Sequence, residues 1–295
     1  TINGFSDYLK EINPDMVVIH GDRIEAIACS LVCATNYTLS VHIEGGELSG
    51  TIDEILRHCN TKLCSFHMVS SIEAKRRVIQ LGESDQNVFV IGSPELDIHL
   101  RDSGVSISQV RERYDIKTDD YGICIFHPVT SETQSIGQQS IDLFKALTSS
   151  RKYFVVIQPN NDPGNIEITN VIKSLDKDQF RVIPSMRFNY FSELMKNSSI
   201  FIGNSSAGVR EAPFIGIPSI DVGTRQKNRA MAKSVYKCEA SEIEKIVELI
   251  YDNWNKRSTR DPSYGDGDAA KKFVDVLKNK QLWRIPLQKY FKETQ

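Results

Sequence analysis

Val17-Val18-Ile19-His20-Gly21-Asp22-Arg23 reads as a short apolar strand running into a glycine turn, and Ile24, Ile27, Leu31 and Val32 follow at helical spacing. A strand without polar alternation is buried on both faces, and a helix directly after it carries the chain back across the sheet. The pair therefore predicts a parallel sheet covered by helices. The same unit recurs downstream. Strands are expected at Met16 to His20, Leu39 to Glu44, Ser65 to Val69 and Asn87 to Ile91, then at Gly122 to Phe126, Phe154 to Gln158, Arg181 to Ile183, Ile200 to Gly203 and Pro218 to Val222. Helical spacing returns at Ile243, Ile246, Val247 and Ile250. Buried strands alternating with amphipathic helices predict an α/β, doubly wound fold with right-handed crossovers.

With 295 residues, 40% of them apolar, the chain has material for two cores at about 150 residues per domain. The polar stretch from Arg101 to Asp120, with Gly104 and a weak helix at Val110 to Tyr114, interrupts the rhythm once and marks a boundary. The expected organisation is a Rossmann-like lobe over 1–105, a second over 106–275, and a segment 276–295 packing back on the first. Two such lobes facing each other make a central cleft, with ligands at the carboxyl ends of the strands. Because Thr1 leads at once into Phe5-Ser6-Asp7-Tyr8-Leu9-Lys10-Glu11-Ile12, which reads as a helix already under way, the first lobe is expected to lack its N-terminal strands in this numbering.

Charge is balanced, 36 basic against 38 acidic residues, so no global field recruits nucleic acid or an anionic membrane. The longest apolar runs, such as Met16 to Ile19 and Phe154 to Ile157, fall far short of the roughly 20 residues of a membrane span, and no charged-then-apolar leader is seen. A soluble, cytoplasmic protein is expected. The six cysteines form no C-x-x-C pair and the six histidines no H-x-x-x-H or H-E-x-x-H pair. Buried free thiols and no metal are the expectation.

The strand ends carry the polar chemistry. Asp22 closes one strand and Glu44, in His42-Ile43-Glu44-Gly45-Gly46-Glu47, closes the next. Each carboxylate can move protons or cap the following helix. Thr51 can cap a helix in which Asp53 occupies the first turn; Asp53 and Arg57 lie four apart and can be merely a surface ion pair. Several carboxylates at one sheet edge would shift one another's proton affinity, which favours a catalytic reading. Further on, His127 ends the strand Ile125-Phe126 just before Pro128, where a core histidine is the alternative. Ile200-Phe201-Ile202-Gly203-Asn204-Ser205-Ser206 opens a helix whose free N–H groups and hydroxyls suit a diphosphate or simply cap the helix. Glu211 can accept from ribose hydroxyls, and Arg225 either neutralises a phosphate or is a solvated loop cation.

Together, His20-Gly21-Asp22-Arg23, His42 to Gly50, Asp53 to His58, His127-Pro128-Val129-Thr130, Gly203 to Glu211 and Gly223-Thr224-Arg225-Gln226 resemble the hydrolysing UDP-N-acetylglucosamine 2-epimerases of sialic acid synthesis. The similarity runs in order through nearly the whole chain. His-Ile-Glu-Gly-Gly-Glu resembles the hydrolysing branch, whereas non-hydrolysing relatives tend to read His-Val-Glu-Ala-Gly. The resemblance implies the two-Rossmann, GT-B-like fold and a UDP-sugar substrate held mainly by the second lobe. It implies Asp22, Glu44 and Asp53 as catalytic carboxylates, with Arg57 and His127 supporting them. It assigns Arg23 to the sugar pocket, Ser205 and Ser206 to the diphosphate, Glu211 to the ribose and Arg225 to the anionic part of the nucleotide. UDP-N-acetylglucosamine would give UDP and free N-acetylmannosamine by elimination of UDP and hydration of the glycal, without NAD or metal, in a homodimer or homotetramer. The Gly-Thr-Arg-type loop with which such proteins begin has no counterpart here, and the numbered chain is expected to be part of a longer molecule. Two alternatives keep the fold: the same chemistry on UDP-N,N'-diacetylbacillosamine, or a UDP-sugar glycosyltransferase. A third is an inactive UDP-sugar-binding chain.

Overall fold

The computed structural model describes residues 1–229 and 232–293, and the chain divides into two compact units. The first comprises Thr1–Leu48, Ile52–Asp97 and Tyr264–Gln295; the second comprises Ser49–Thr51 and Ile98–Ser263. No helix among the described residues is long and apolar enough to cross a membrane.

In the first unit, β1 (Val17–His20), β2 (Ser40–Ile43), β3 (Phe66–Val69) and β4 (Val88–Val90) pair side by side in that order, all parallel. Every residue of β2 and β3 is buried, as a sheet covered on both faces requires. Helices Ile24–Thr35, Asp53–Leu63 and Ile72–Gln80 return the chain between strands. Leu39, Val41, Ile43, Phe66, Met68 and Ile91 form the main core, against which Phe273, Val276 and Leu277 of the helix Ala269–Leu277 pack.

That late helix is attached by specific polar contacts as well as by its apolar face. Both carboxylate oxygens of Asp97 accept backbone N–H groups at its start, from Ala269 and Ala270, at 2.8 Å each. An anion here satisfies two orphan donors and meets the positive end of the helix dipole. Just before it, a Cβ on Gly265 (φ +115°) would stand 2.7 Å from the Gly92 Cα, so the two backbones touch where only glycine fits.

Further along, Lys289 reaches Glu83 at 2.6 Å and donates to the carbonyls of Cys64 and Thr61 at 2.9 and 3.2 Å. Glu83 is 3% exposed and also takes Lys62 at 2.7 Å and His67 at 3.1 Å. Burial holds the His67 imidazole below its usual range, so it is neutral and serves as an N–H donor. Its Nδ1 is buried without a partner, which a lone pair tolerates better than a second N–H would. Burial alone would raise Glu83, but the hydrogen bonds from His67, Lys289 and Lys62 outweigh it and bring the carboxyl down to about 2. A depressed folded-state value means the contribution is complete above the ordinary carboxylate range and disappears as pH falls towards 2. The unfolding midpoint in urea is therefore expected to drop from pH 5 to pH 2.5, with a smaller drop in Glu83→Gln. Equal slopes in the two proteins would remove Glu83 as the source.

The second unit holds β5 (Gly122–Ile125), β6 (Phe154–Ile157), β7 (Phe180–Ile183), β8 (Phe201–Gly203), β9 (Ser219–Val222) and β10 (Val235–Cys238). Their order is β10-β9-β8-β5-β6-β7, all parallel. This is the doubly wound order in which the chain direction across the sheet reverses between β5 and β8, and such a reversal opens a ligand crevice at the carboxyl ends. One cluster, including Leu143, Phe144, Phe154 and Ile246, and another, including Tyr121, Leu194, Met195 and Phe201, form its cores. Gly203 ends β8 at φ +130°, where a Cβ would meet the Ile125 carbonyl oxygen at 2.0 Å. The two central strands thus approach as closely as glycine allows.

Three local expectations are corrected. The helix Asp53–Leu63 has Ile52, rather than Thr51, at its N-cap position. The helix expected at Val110 starts earlier, spanning Ile107–Tyr114, because Ser106 and Gln109 form a reciprocal capping box. Of the six cysteines, all free, Cys29 and Cys59 are only half-buried.

Candidate functional site

In the first unit the site grows from the turn after β1. Gly21 takes φ +87°, its N–H donates to the Ile43 carbonyl at 3.2 Å, and its own carbonyl accepts Asn60 Nδ2 at 3.1 Å. The same carbonyl lies 2.9 Å from His42 Nε2. Burial drives the His42 imidazole down to about 3, so the ring is neutral and donates from Nε2, leaving Nδ1 to accept from Thr61 Oγ1 at 3.2 Å. A buried neutral histidine on β2 thereby fixes the His20-Gly21-Asp22-Arg23 turn.

Asp22 does not cap the next helix, whose N-cap is Arg23 without a side-chain bond. It hydrogen-bonds Arg57 instead. Arg57 is not one half of a surface pair: its side chain is 2% exposed, it joins Asp22, and it donates to the Glu47 carbonyl at 2.8 Å. Asp53 lies 3.8 Å from the exposed Arg23 guanidinium. The structure thus links Asp22, Arg23, Asp53 and Arg57 through two ion pairs.

Glu44 follows β2 with φ +69°, a left-handed conformation that costs a side-chain-bearing residue about 1–2 kcal/mol. Its N–H donates to the Met68 carbonyl at 3.1 Å. The following Gly46 (φ +76°) would place a Cβ 2.2 Å from the Ala74 carbonyl oxygen, so the loop is pinned against the helix Ile72–Gln80. Strain held by its surroundings is common at functional positions. The Glu44 carboxylate sits 3.5 Å from His20 Nε2, and Glu95 lies at the same distance from that nitrogen. Among the described residues, His20, Glu44 and Glu95 are the group whose donor atoms lie close enough, within 4.8 Å of one another, to hold a cation.

In the second unit the residues gather at the β5–β8 reversal, and Asn204 joins them. Its Oδ1 accepts the His127 N–H at 2.7 Å, and its Nδ2 donates to the His127 carbonyl at 2.8 Å. Its own carbonyl accepts Gln226 Nε2 at 2.9 Å and Arg225 Nη1 at 3.3 Å. His127 Nδ1 accepts the Asn160 N–H at 3.1 Å, so the neutral ring carries its proton on Nε2. Ser205 and Ser206, half-buried, open the short helix Ser206–Val209; Ser205 accepts the Ala207 N–H at 3.4 Å. Glu211 is buried at 4% exposure in the next short helix, Glu211–Phe214. Gly50 belongs to this unit and donates its N–H to the Arg225 carbonyl at 3.0 Å. The geometry brings His127, Ser205 and Arg225 together around Asn204, a cationic and hydroxyl-bearing edge suited to an anion.

Residues 1–278 match the family model for UDP-N-acetylglucosamine 2-epimerase. The chain belongs to the UDP-N-acetylglucosamine 2-epimerase family. It is 41% identical over 295 residues to the UDP-N-acetylglucosamine 2-epimerase of Neisseria meningitidis serogroup B, covering 99% of this chain and 78% of that one. It is 30% identical over 279 residues to a hydrolysing UDP-N,N'-diacetylbacillosamine 2-epimerase of Legionella pneumophila, covering 93% and 74%. The fold is similar to that of the Methanocaldococcus jannaschii UDP-GlcNAc 2-epimerase in complex with UDP-GlcNAc and UDP, with TM-score 0.80, 19% identity and coverage of 94% and 79%. The α/β, two-Rossmann, GT-B-like class expected from the sequence is the class of this epimerase family.

Several residues that shape the sites of this family member fall outside the sequence-derived set. His42 and Asn204 lie within the motifs but act through the backbone, fixing turns. Glu95 sits in Gly92-Ser93-Pro94-Glu95, the fourth strand-end turn of the first sheet. Its signal was available: the stretch follows an apolar strand and puts proline at the first position of a helix.

Proposed function

We propose that this epimerase-family chain catalyses hydrolysing 2-epimerisation of a UDP-N-acetyl amino sugar, converting UDP-N-acetylglucosamine to UDP and N-acetylmannosamine for sialic or related acid synthesis. The observation that carries the reading is the set of acids that follow the first two strands and open the helix Asp53–Leu63. Asp22 is locked to buried Arg57, Asp53 is beside Arg23, and Glu44 is held in a strained turn beside His20. Elimination breaks the C2–H bond, forms the C1–C2 double bond and expels UDP with the C1–O electron pair. Water then adds at C1 while C2 regains a proton on the opposite face. Both halves need carboxyl groups positioned to exchange protons with carbon. The second unit supplies the nucleotide contacts: Ser205 and Ser206 to the diphosphate, Arg225 to its charge, Glu211 to the ribose, with His127 in support. A protein of this kind works in the cytoplasm as a homodimer or homotetramer on a soluble UDP-sugar.

Incubation with UDP-N-acetylglucosamine in deuterated water is expected to release UDP and free N-acetylmannosamine bearing deuterium at C2. Intact substrate or unlabelled sugar defeats the proposal, and UDP-N-acetylmannosamine as the product assigns the chain to the non-hydrolysing chemistry. The likeness to the Legionella enzyme favours one second reading, the same chemistry on UDP-N,N'-diacetylbacillosamine. Parallel incubation with that sugar separates the two by the larger kcat/KM.

A further inference from the structure

Two loops frame the β5–β8 reversal in the second unit, one after β5 and one after β9, and Asn204 joins them. Its side chain exchanges two hydrogen bonds with the His127 backbone, and its carbonyl accepts Arg225 Nη1 and Gln226 Nε2. A second link joins the same loops. The Thr224 hydroxyl hydrogen-bonds the carboxylate of Glu132, which follows His127 in the loop after β5. The two loops are thus tied twice, once through Asn204 and once through a hydroxyl–carboxylate pair.

Glu132 is well anchored. Its N–H donates to the Val129 carbonyl at 2.8 Å, and its own carbonyl accepts the Ser135 N–H and hydroxyl at 3.0 and 3.1 Å. Its Oε2 accepts Gln139 Nε2 at 2.9 Å, from the helix Ile136–Ser149, whose Ile136, Leu143 and Phe144 are buried in the core. Thr224 follows Gly223, which turns at φ +85° and where a Cβ would meet nothing within 4 Å. The loop closes instead against Gly50 of the same unit. The Gly50 N–H donates to the Arg225 carbonyl at 3.0 Å, and a Cβ on Gly50 would stand 2.2 Å from the Thr224 carbonyl oxygen. Gly50 therefore holds the backbone of Thr224 and Arg225, while Glu132 holds the Thr224 side chain.

The chemistry of the pair assigns its role. A threonine hydroxyl owns one hydrogen, and here the carboxylate takes it, so Thr224 offers no donor to an anion while this bond stands. A carboxylate near a diphosphate repels it, so charge is not what Glu132 contributes. What remains is position: a loop ordered before its ligand arrives loses less freedom on binding it. We infer that Glu132 is a positioning residue for the nucleotide, holding Thr224 so that the loop Gly223–Gln226 presents Arg225 to the diphosphate, an inference that rests on the proposed placement of UDP in this unit.

Calorimetric titration of the parent and its variants with UDP tests it. Glu132→Ala and Thr224→Val break the same bond, and each should weaken UDP binding about tenfold. Together they should lose no more than about either alone, because the second change has nothing left to break. Glu132→Gln keeps an oxygen for the Thr224 hydroxyl, and Gln139 can flip its amide to accept the new N–H, so UDP should bind within about twofold of the parent or more tightly. In turnover of UDP-N-acetylglucosamine the Glu132→Ala loss should fall on KM, about tenfold, more than on kcat. Equal losses in Glu132→Ala and Glu132→Gln, or additive losses in the double variant, overturn the inference. So does a lowered melting temperature with unchanged UDP affinity, which would make the pair a brace of the fold alone. Thr224→Val is nearly isosteric, and unchanged affinity in that variant refutes the role even where Glu132→Ala fails to fold. A parent that binds no UDP overturns both the inference and the placement it rests on. A parent that binds UDP, shows these losses and yet releases no N-acetylmannosamine upholds the role of Glu132 and rejects the proposed reaction.

Discussion

Glutamine in place of Glu44 is expected to lower kcat by about 10³-fold while UDP binds within a few fold of the parent. The substitution nearly preserves shape and keeps a donor and acceptor for His20 and Ser93, so the strained turn, with φ +69° at this position, has no new steric reason to relax. What it removes is the capacity to take or give a proton. The groups proposed to hold UDP, among them Ser205, Arg225 and His127, lie in the other compact unit. Turnover measured by UDP release and UDP affinity measured by calorimetry therefore separate chemistry from binding. A collapse of UDP affinity would show that the division of labour is wrong; an unimpaired kcat would remove Glu44 from the chemistry.

Most of the architecture was legible because buried parallel strands are written as uninterrupted apolar runs. Val17–His20, Gly122–Ile125 and Phe154–Ile157 each lie inside a run marked from sequence. β10 escaped because it is a sheet edge with an exposed Lys237 and half-buried Val235 and Tyr236, so its sequence carries no continuous apolar signal. The acids at the strand ends were visible for a related reason: a polar residue after a buried strand stands out. Their partners were not. Spacing of four on a helix pointed from Arg57 to Asp53, yet Arg57 turns inward to Asp22, 35 residues away, because tertiary burial outweighs a surface pair worth a few tenths of a kcal/mol. His42 was hidden in the same way. Its role is to hold the Gly21 carbonyl through a neutral ring, and that follows only once β1 and β2 are seen side by side with Ile19 opposite His42.

The Asp22–Arg57 pair should then be strongly cooperative, and a double-mutant cycle shows it. Arg57 is 1% exposed, and its guanidinium is accounted for by Asp22 and the Glu47 carbonyl. Asp22→Ala leaves that cation buried without its counter-charge and is expected to destabilise the first unit by about 3–5 kcal/mol. Arg57→Met removes the cation and frees Asp22, 25% exposed, to turn to water, so its cost is smaller and comes mainly from the lost hydrogen bond to the Glu47 carbonyl. The double variant lacks the stranded charge, and its loss should fall short of the sum of the singles by about 1–3 kcal/mol. Urea unfolding of the three variants against the parent measures the coupling, and additive losses would mean the two side chains are independent. Since the pair links the turn after β1 to the helix carrying Asp53, activity should vanish in the double variant even where stability recovers. Because Asp22 is itself one of the acids proposed to carry the reaction, recovered stability without recovered turnover separates a pair that takes part in the chemistry from one that only braces the fold.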